Sequence, residues 1–440
     1  TKKEWNKPYR QYSVQNQFRF ELGKNTYLKT YAAYDKTKFN LVQIEPFEDT
    51  HRGLNYDEDN LYLNTTFNKR YDNGLKLFGG VAYSLNNKDI TNALLENDKV
   101  DSKEQEVHIK SKIGKRLSNL YRLEFGWDAM IRKYDLMYQA LNNNEVNLEQ
   151  NIIAGYFSND FNLSSNLFLN LSSRIEYTSL NRSYAFLHRV ALSYQLKKWN
   201  FSGVIGMYQQ SASNDYLMYN KKLSNEKNTQ TQLGVYYQHK SHIVRLELYN
   251  KHYNKLSIQN KKGLYSTGRG YSRGIDMFIN DNKFLKFWDY TIAYSYNDTK
   301  RSQDYYEQRI IPSYITQHNL SLSIRYTNYS LRSIIGASNR FASGRHYHNP
   351  NKDGHMNSRS PIYNSLDISY TFLAHKKLII YASASNILNR NNIFGYKYNS
   401  KQNSNGNYNS SPIRKQQNQS FYIGFFLTLG KNVAYDASNF

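Results

Sequence analysis

The chain has 440 residues, 39% of them hydrophobic, and its 58 Lys plus Arg against 35 Asp plus Glu give a formal net charge of +23. At a mean hydropathy of −0.78, it holds no run near the roughly 18 apolar residues of a helical membrane span, which excludes a helical membrane protein. A β-barrel is not excluded, because its strands alternate between lipid and lumen and never look apolar as a whole.

The basic residues are spread along the chain and fall mostly in turns, as at Lys197-Lys198, Lys221-Lys222, Lys261-Lys262 and Lys376-Lys377. That scatter fits solvated turns beside anionic lipid or lipopolysaccharide, or a basic lumen, rather than a nucleic-acid face. The 42 Tyr, 22 Phe and 4 Trp make 15% of the chain. Tyrosine at this density suits a surface that meets water and lipid together, since its ring is apolar and its hydroxyl seeks a polar partner. The absence of Cys is compatible with an oxidising periplasm.

In chain order, period-2 alternation runs through 61–67, 75–83, 167–177, 190–196, 233–237, 244–248, 290–296, 319–326 and 365–370, and ends with Phe421, Ile423, Phe425, Leu427 and Leu429. The pattern predicts an all-β fold, a transmembrane antiparallel up-and-down β-barrel with strands of about ten residues. Leu320, Leu322, Ile324, Leu366, Ile368, Phe425 and Leu427 are expected on lipid, and Ser321, Ser323, Ser365 and Asp367 on a wet lumen. Short turns are expected at 23–25, 72–74, 118–119, 239–241, 280–283, 327–330 and 374–377. Long loops are expected at 37–58, 87–103, 135–146, 211–227, 253–269, 298–313, 343–360 and 390–417, which puts the long set outside. Loop 399–412, rich in Asn and Ser, is expected to be mobile.

This reading counts about 19 strands, an odd number that does not close a bacterial barrel. Residues 1–440 are therefore expected to form one incomplete barrel domain, with the gap beside the strand around 12–22.

Several segments, in order, resemble the TonB-dependent outer-membrane receptors, particularly those of the Bacteroidetes type. They are Asn166 to Tyr177, then His188-Arg189 through Tyr194, Gly206 to Ser211, Gly270 to Asp276, Ile311-Pro312 through Leu320, and Ala384-Ser385-Asn386-Ile387-Leu388-Asn389-Arg390. His188 stands where the family usually has Pro, and the chain runs ten residues past Gly430. The resemblance implies a barrel of about 22 strands behind an N-terminal plug, with the plug and first strands not in this chain. It implies a bacterial outer-membrane receptor, not an enzyme, that binds a scarce nutrient (siderophore, haem, cobalamin, oligosaccharide or peptide) and imports it with TonB-derived energy. Implied partners are outer-membrane lipid and lipopolysaccharide, the TonB–ExbB–ExbD complex acting through the plug, and a candidate surface lipoprotein. No nucleic acid and no cofactor are implied. A passive porin or structural outer-membrane barrel is the alternative, and a barrel enzyme a third.

The substrate-binding candidates are inward residues taken to lie in the upper halves of strands: Arg174, Glu176, Tyr208, Gln210, Arg245 and Glu247. Each can equally pair across the lumen or hold the plug. His346, Tyr347 and His348, with His355 nearby, join them from a long loop. Two imidazoles at i and i+2 can share a metal, but no Cys or carboxylate cluster accompanies them and no metal is assigned. No Gly-x-Ser-x-Gly elbow supports a hydrolase. Cargo selectivity is expected in loops 211–227, 343–360 and 390–417, which carry Tyr216, Tyr219, His346, Tyr347, Tyr396 and Tyr408.

Overall fold

Alternation of apolar and polar residues becomes one continuous sheet. The computed structural model describes residues 2–428 except 45, 48–50, 93, 94, 96, 141–143, 283, 284, 307 and 416; Leu429, Gly430 and the tail after them lie outside these. The strands are β1 (Lys2–Gly23), β2 (Thr26–Ile44), β3 (His51–Arg70), β4 (Leu75–Thr91), β5 (Lys99–Arg116), β6 (Tyr121–Gln139), β7 (Asn144–Asn162), β8 (Leu167–Thr178), β9 (Ser183–Leu196), β10 (Trp199–Gln210), β11 (Glu226–His239) and β12 (His242–Asn260). There follow β13 (Gly263–Asp281), β14 (Trp288–Arg301), β15 (His318–Asn328), β16 (Ser333–Ala342), β17 (His346–Tyr347), β18 (Ser358–Arg359), β19 (Tyr363–His375), β20 (Leu378–Ser385), β21 (Ile393–Gln402), β22 (Tyr408–Arg414) and β23 (Ser420–Leu427). Among the described residues a single short helix, α1 (Asn214–Leu217), interrupts the loop after β10.

Nineteen of these strands form one antiparallel sheet, each paired with its neighbours in order, while β17–β18 and β21–β22 are separate hairpins. Among the described residues β1 pairs only with β2, and β23 only with β20. Because directions alternate, the first and nineteenth strands run the same way and cannot meet as an antiparallel pair. The exposed edge strand β1 carries Tyr12, Val14, Phe18, Phe20 and Leu22, each roughly half exposed or more.

The two faces of the sheet differ as the period-2 pattern requires. Outward rows run straight across the ladders: Leu248 opposes Ile275, Tyr294 opposes Leu320, Ile324 opposes Ala337, Ile368 opposes Ala384, and Ile380 opposes Phe425. None of these side chains is buried, and Leu248, Ile275, Leu320, Ile368 and Phe425 are 37% to 69% exposed. An apolar row left bare along a whole sheet is stable only against lipid. At the short-turn end the outward rings pair across strands, Tyr121 with Phe161 at 4.9 Å, Trp199 with Tyr237 at 4.6 Å and Trp288 with Tyr326 at 4.8 Å. They form an aromatic girdle at the level of lipid headgroups.

The strands are longer than the alternation suggested. Much of 37–58, 87–103, 135–146 and 253–269 is strand rather than loop, and β12 and β13 are joined by Lys261-Lys262 alone. A strand of 20 residues such as β3 rises on the order of 50 Å at the ~40° tilt usual in such barrels, about twice the ~25 Å apolar band. The sheet from β1 to β7 therefore stands well above the membrane, whereas β8, β9 and β10 are 12, 14 and 12 residues long.

Loop 211–225 fills the notch above these low strands. Its Ala212, Leu217 and Leu223 bury with Leu148 against Tyr134, Val146, Leu180 and Leu264. Asn181 Nδ2 donates to the Leu223 carbonyl at 3.0 Å, and Asn225 Nδ2 to Thr178 Oγ1 at 2.9 Å. The segment expected as a selectivity loop is in large part a packed wedge. Segment 399–412 forms the end of β21, the connecting turn and the start of β22. The Asn386 motif is a loop closure: with φ at +50°, the buried Asn386 gives its Nδ2 to the carbonyls of Arg390 and Asn418 at 2.9 and 3.0 Å. Asn is the non-glycine residue best suited to that left-handed conformation.

Candidate functional site

On the inner wall, near the outer end of the low strands, Arg174 reaches from β8 to β6. Its Nη1 and Nη2 meet Asp128 Oδ2 and Oδ1 at 2.7 and 2.9 Å, and its Nε donates to Glu176 Oε2 at 3.0 Å. Glu176 Oε1 in turn accepts from Gln209 Nε2 at 2.8 Å. A guanidinium gripped by two carboxylates has few donors left, so this cluster works first as a brace between strands. Gln209, not Gln210, completes it; Gln210 Nε2 donates to Glu226 Oε2 at 3.1 Å, and the Tyr208 hydroxyl lies back over Gly206.

Arg245 and Glu247 are not in the upper half of their strand. β12 begins at His242 beside the short turn, so both stand at its lower end. Arg245 Nε lies 3.6 Å from Glu247 Oε1 and its guanidinium 5.7 Å from the Phe278 ring. From there a cleft of about 580 Å³ extends along the inner wall to the loop after β16. Arg245, Arg340 and Arg345 line it with a single carboxylate, Asp276.

The rim above this wall is built by loops 302–317, 343–362 and 386–419. β17 and β18 pair His346 with Arg359 and Tyr347 with Ser358. Arg359 Nε donates to His346 Nε2 at 2.9 Å, which occupies the nitrogen a metal would take. Burial first, and then the Arg359 charge, lower the His346 pKa. Tyr347 faces Tyr396 and Tyr398 of β21 at 5.2 and 6.5 Å; burial and a hydrogen bond with Tyr347 push the Tyr398 hydroxyl up to about 12. The His348 ring lies 5.9 Å from His355, which in turn packs edge-on against Tyr306. Among the described residues no three His, Cys, Asp or Glu side chains converge as a metal site needs. Asn351 ties the β21–β22 hairpin down: Tyr408 N donates to its Oδ1 at 2.7 Å and its Nδ2 donates to the Tyr408 carbonyl at 2.9 Å. The Tyr216 hydroxyl donates to Asp304 at 2.6 Å, joining the packed wedge to the neighbouring loop.

The structure therefore gathers Arg174 with Glu176, and Arg245 with Glu247, but separates the two pairs from each other by height. The sequence reading missed Asp128, Gln209, Arg340, Arg345 and Phe394. For Asp128 and Arg340 the signal was present, since each sits at an inward position of an alternating strand. Arg345 and Phe394 lie where the alternation stops.

Residues 2–387 match the family described as TonB dependent receptor-like, beta-barrel. No curated protein matches the sequence significantly. Among solved structures, the chain is similar to the ferripyoverdine receptor of the outer membrane of Pseudomonas aeruginosa, with a TM-score of 0.74 and 12% identity over 95% of this chain and 65% of that one. It is also similar to the ferric yersiniabactin uptake receptor of Yersinia pestis, with a TM-score of 0.73 and 11% identity over 95% of this chain and 71% of that one. The alcaligin outer-membrane receptor of Bordetella pertussis gives 0.65 and 14%, over 86% and 66%. The chain spans 65 to 66% of the first three solved structures it matches. The fold is shared at identities too low to carry cargo with it. With its bare apolar outer face, its wet inner face and a family match over most of its length, the chain belongs to the TonB-dependent receptor β-barrel family of the bacterial outer membrane.

Proposed function

We propose that this chain is the barrel wall of an outer-membrane importer of the Bacteroidetes type, which captures a scarce nutrient at its rim and passes it inward with energy from a TonB–ExbB–ExbD complex. The observation that carries the reading is the two-faced sheet of a family of receptors. The outer face is apolar and unpartnered, while the inner face is lined with charges and amides. A plug and further strands, supplied by the rest of the protein, would fill the lumen and pair with the free edges of β1 and β23, because unpaired backbone groups in lipid are costly. The inward charges would then serve the plug as much as the cargo. Siderophore, haem, cobalamin, oligosaccharide and peptide all fit a rim of tyrosines and amides. A surface lipoprotein cap suits the tall shoulder from β1 to β7. The reading assigns no catalytic residue.

Two measurements test it. Uptake of radiolabelled candidate nutrients by cells carrying the intact protein should stop when the proton-motive force is collapsed. The intact protein in a planar bilayer should show no steady open-pore conductance. Persistent conductance with energy-independent uptake would favour the passive porin instead.

A further inference from the structure

The inner-wall cleft has an unusual balance: three guanidiniums, Arg245, Arg340 and Arg345, line it against the carboxylate of Asp276 alone. They are not equally free. Arg340 Nη2 is held by Asp367 at 2.5 Å, and Arg245 leans on Glu247 and Phe278. Asp276 accepts from Ser295 Oγ at 2.8 Å. Arg345 has neither an ion pair nor a side-chain hydrogen bond among the described residues; its guanidinium lies 5.8 Å from the centre of the Phe394 ring.

The backbone under Arg345 is built to hold it there. Arg345 N donates to Ser360 Oγ and Ser360 N donates to the Arg345 carbonyl, both at 2.9 Å. A Cβ on the preceding Gly344 would meet the Ser360 carbonyl oxygen at 1.9 Å, so only glycine permits this close crossing. Phe394 also packs against Tyr363, with ring centroids 5.9 Å apart. A half-buried guanidinium on an anchored backbone, beside an aromatic ring and with its donors unspent, is well suited to bind a carboxylate or phosphate in two-pronged fashion. The neighbouring rings offer a face for an apolar body.

We propose that this cleft binds an organic anion that joins a carboxylate or phosphate to an aromatic or apolar body, with Arg345 as anion clamp and Phe394 as platform. The proposal deepens the importer reading and rests on it for the meaning of the ligand as cargo. Binding itself does not depend on that reading.

The test uses the intact protein in detergent micelles, with 2-naphthoate and 2-naphthyl phosphate as anionic probes and 2-naphthamide as the neutral probe, read by naphthalene fluorescence. Saturable binding is expected, at least tenfold tighter for one or both anions than for the amide, and the better anion identifies the headgroup. Arg345→Gln should erase the preference while the β-sheet circular dichroism and heat-modifiable gel mobility stay unchanged. If Arg345→Gln does not fold, Arg345→Lys, which keeps the charge but not the planar fork, should lower the preference severalfold. Equal binding of anion and amide by the wild type, a preference that survives in a folded Arg345→Gln protein, or an undiminished preference in Arg345→Lys, would overturn the proposal. Such a failure leaves energised uptake untouched, so the importer reading is judged separately.

Discussion

Arg174 and Asp128 share two nearly parallel hydrogen bonds, at 2.7 and 2.9 Å, across β7 from β8 to β6. Replacing Arg174 by Gln leaves the mostly buried carboxylates of Asp128 and Glu176 side by side without their cation. Loss of about 2 kcal/mol is expected, since the pair is partly screened by the lumen. Urea unfolding of the refolded protein measures it, and the double variant Arg174→Gln with Asp128→Asn should recover part of the loss.

On β15 the outward Leu322 and inward Ser323 are adjacent in sequence but see different solvents. Leu322→Arg is expected to destabilise by about 2–4 kcal/mol near the bilayer midplane, and Ser323→Arg by much less. Unfolding in lipid vesicles compares the two. Equal costs would mean that both faces are wet, contrary to the assigned orientation.

Because Asn351 supplies both links to Tyr408, Asn351→Ala should loosen the Tyr408 end of the β21–β22 hairpin without touching the sheet. Tryptic cleavage at Lys397 and Lys401 is expected to accelerate severalfold while heat-modifiable mobility stays unchanged.

The His346–Arg359 contact should respond to pH. Burial and the adjacent guanidinium lower the His346 pKa in the folded state from its usual 6.5. The unfolded loop therefore binds a proton first as pH falls, and the contribution of a neutral His346 to loop stability is full above about 6.5 and lost as pH falls through the lowered folded value. Protection factors at Tyr347 and Arg359, with the intrinsic pH dependence of amide exchange divided out, should fall on acidification through that range. His346→Gln should flatten the dependence.

The lipid face was legible because Leu320, Leu322 and Ile324 keep strict period 2 with one side in hydrocarbon. Strand ends were not, because above the membrane both faces are wet and the alternation disappears. There the ladder holds by charge instead: Lys38 pairs with Asp57 at 2.5 Å within the segment that read as a loop in sequence, and Lys36 with Asp59 at 2.9 Å at its edge. The height of Arg245 was readable from its few residues' distance to the turn at Lys240. Arg345 was not readable, since its position depends on a crossing between Gly344 and Ser360, which are distant along the chain.

Every ladder in the large sheet joins strands that follow one another in order. The wall can therefore grow strand by strand, and even the widest gap between paired neighbours spans only residues 386–419, at a modest entropic cost. Closing the wall through the further strands proposed above is different, because its two free edges, β1 and β23, belong to opposite ends of the sheet order. Sealing the cylinder is thus expected to be the slow event of assembly. Until it happens, the bare edge of β1 is the place where a stray strand can add and divert the protein to aggregation.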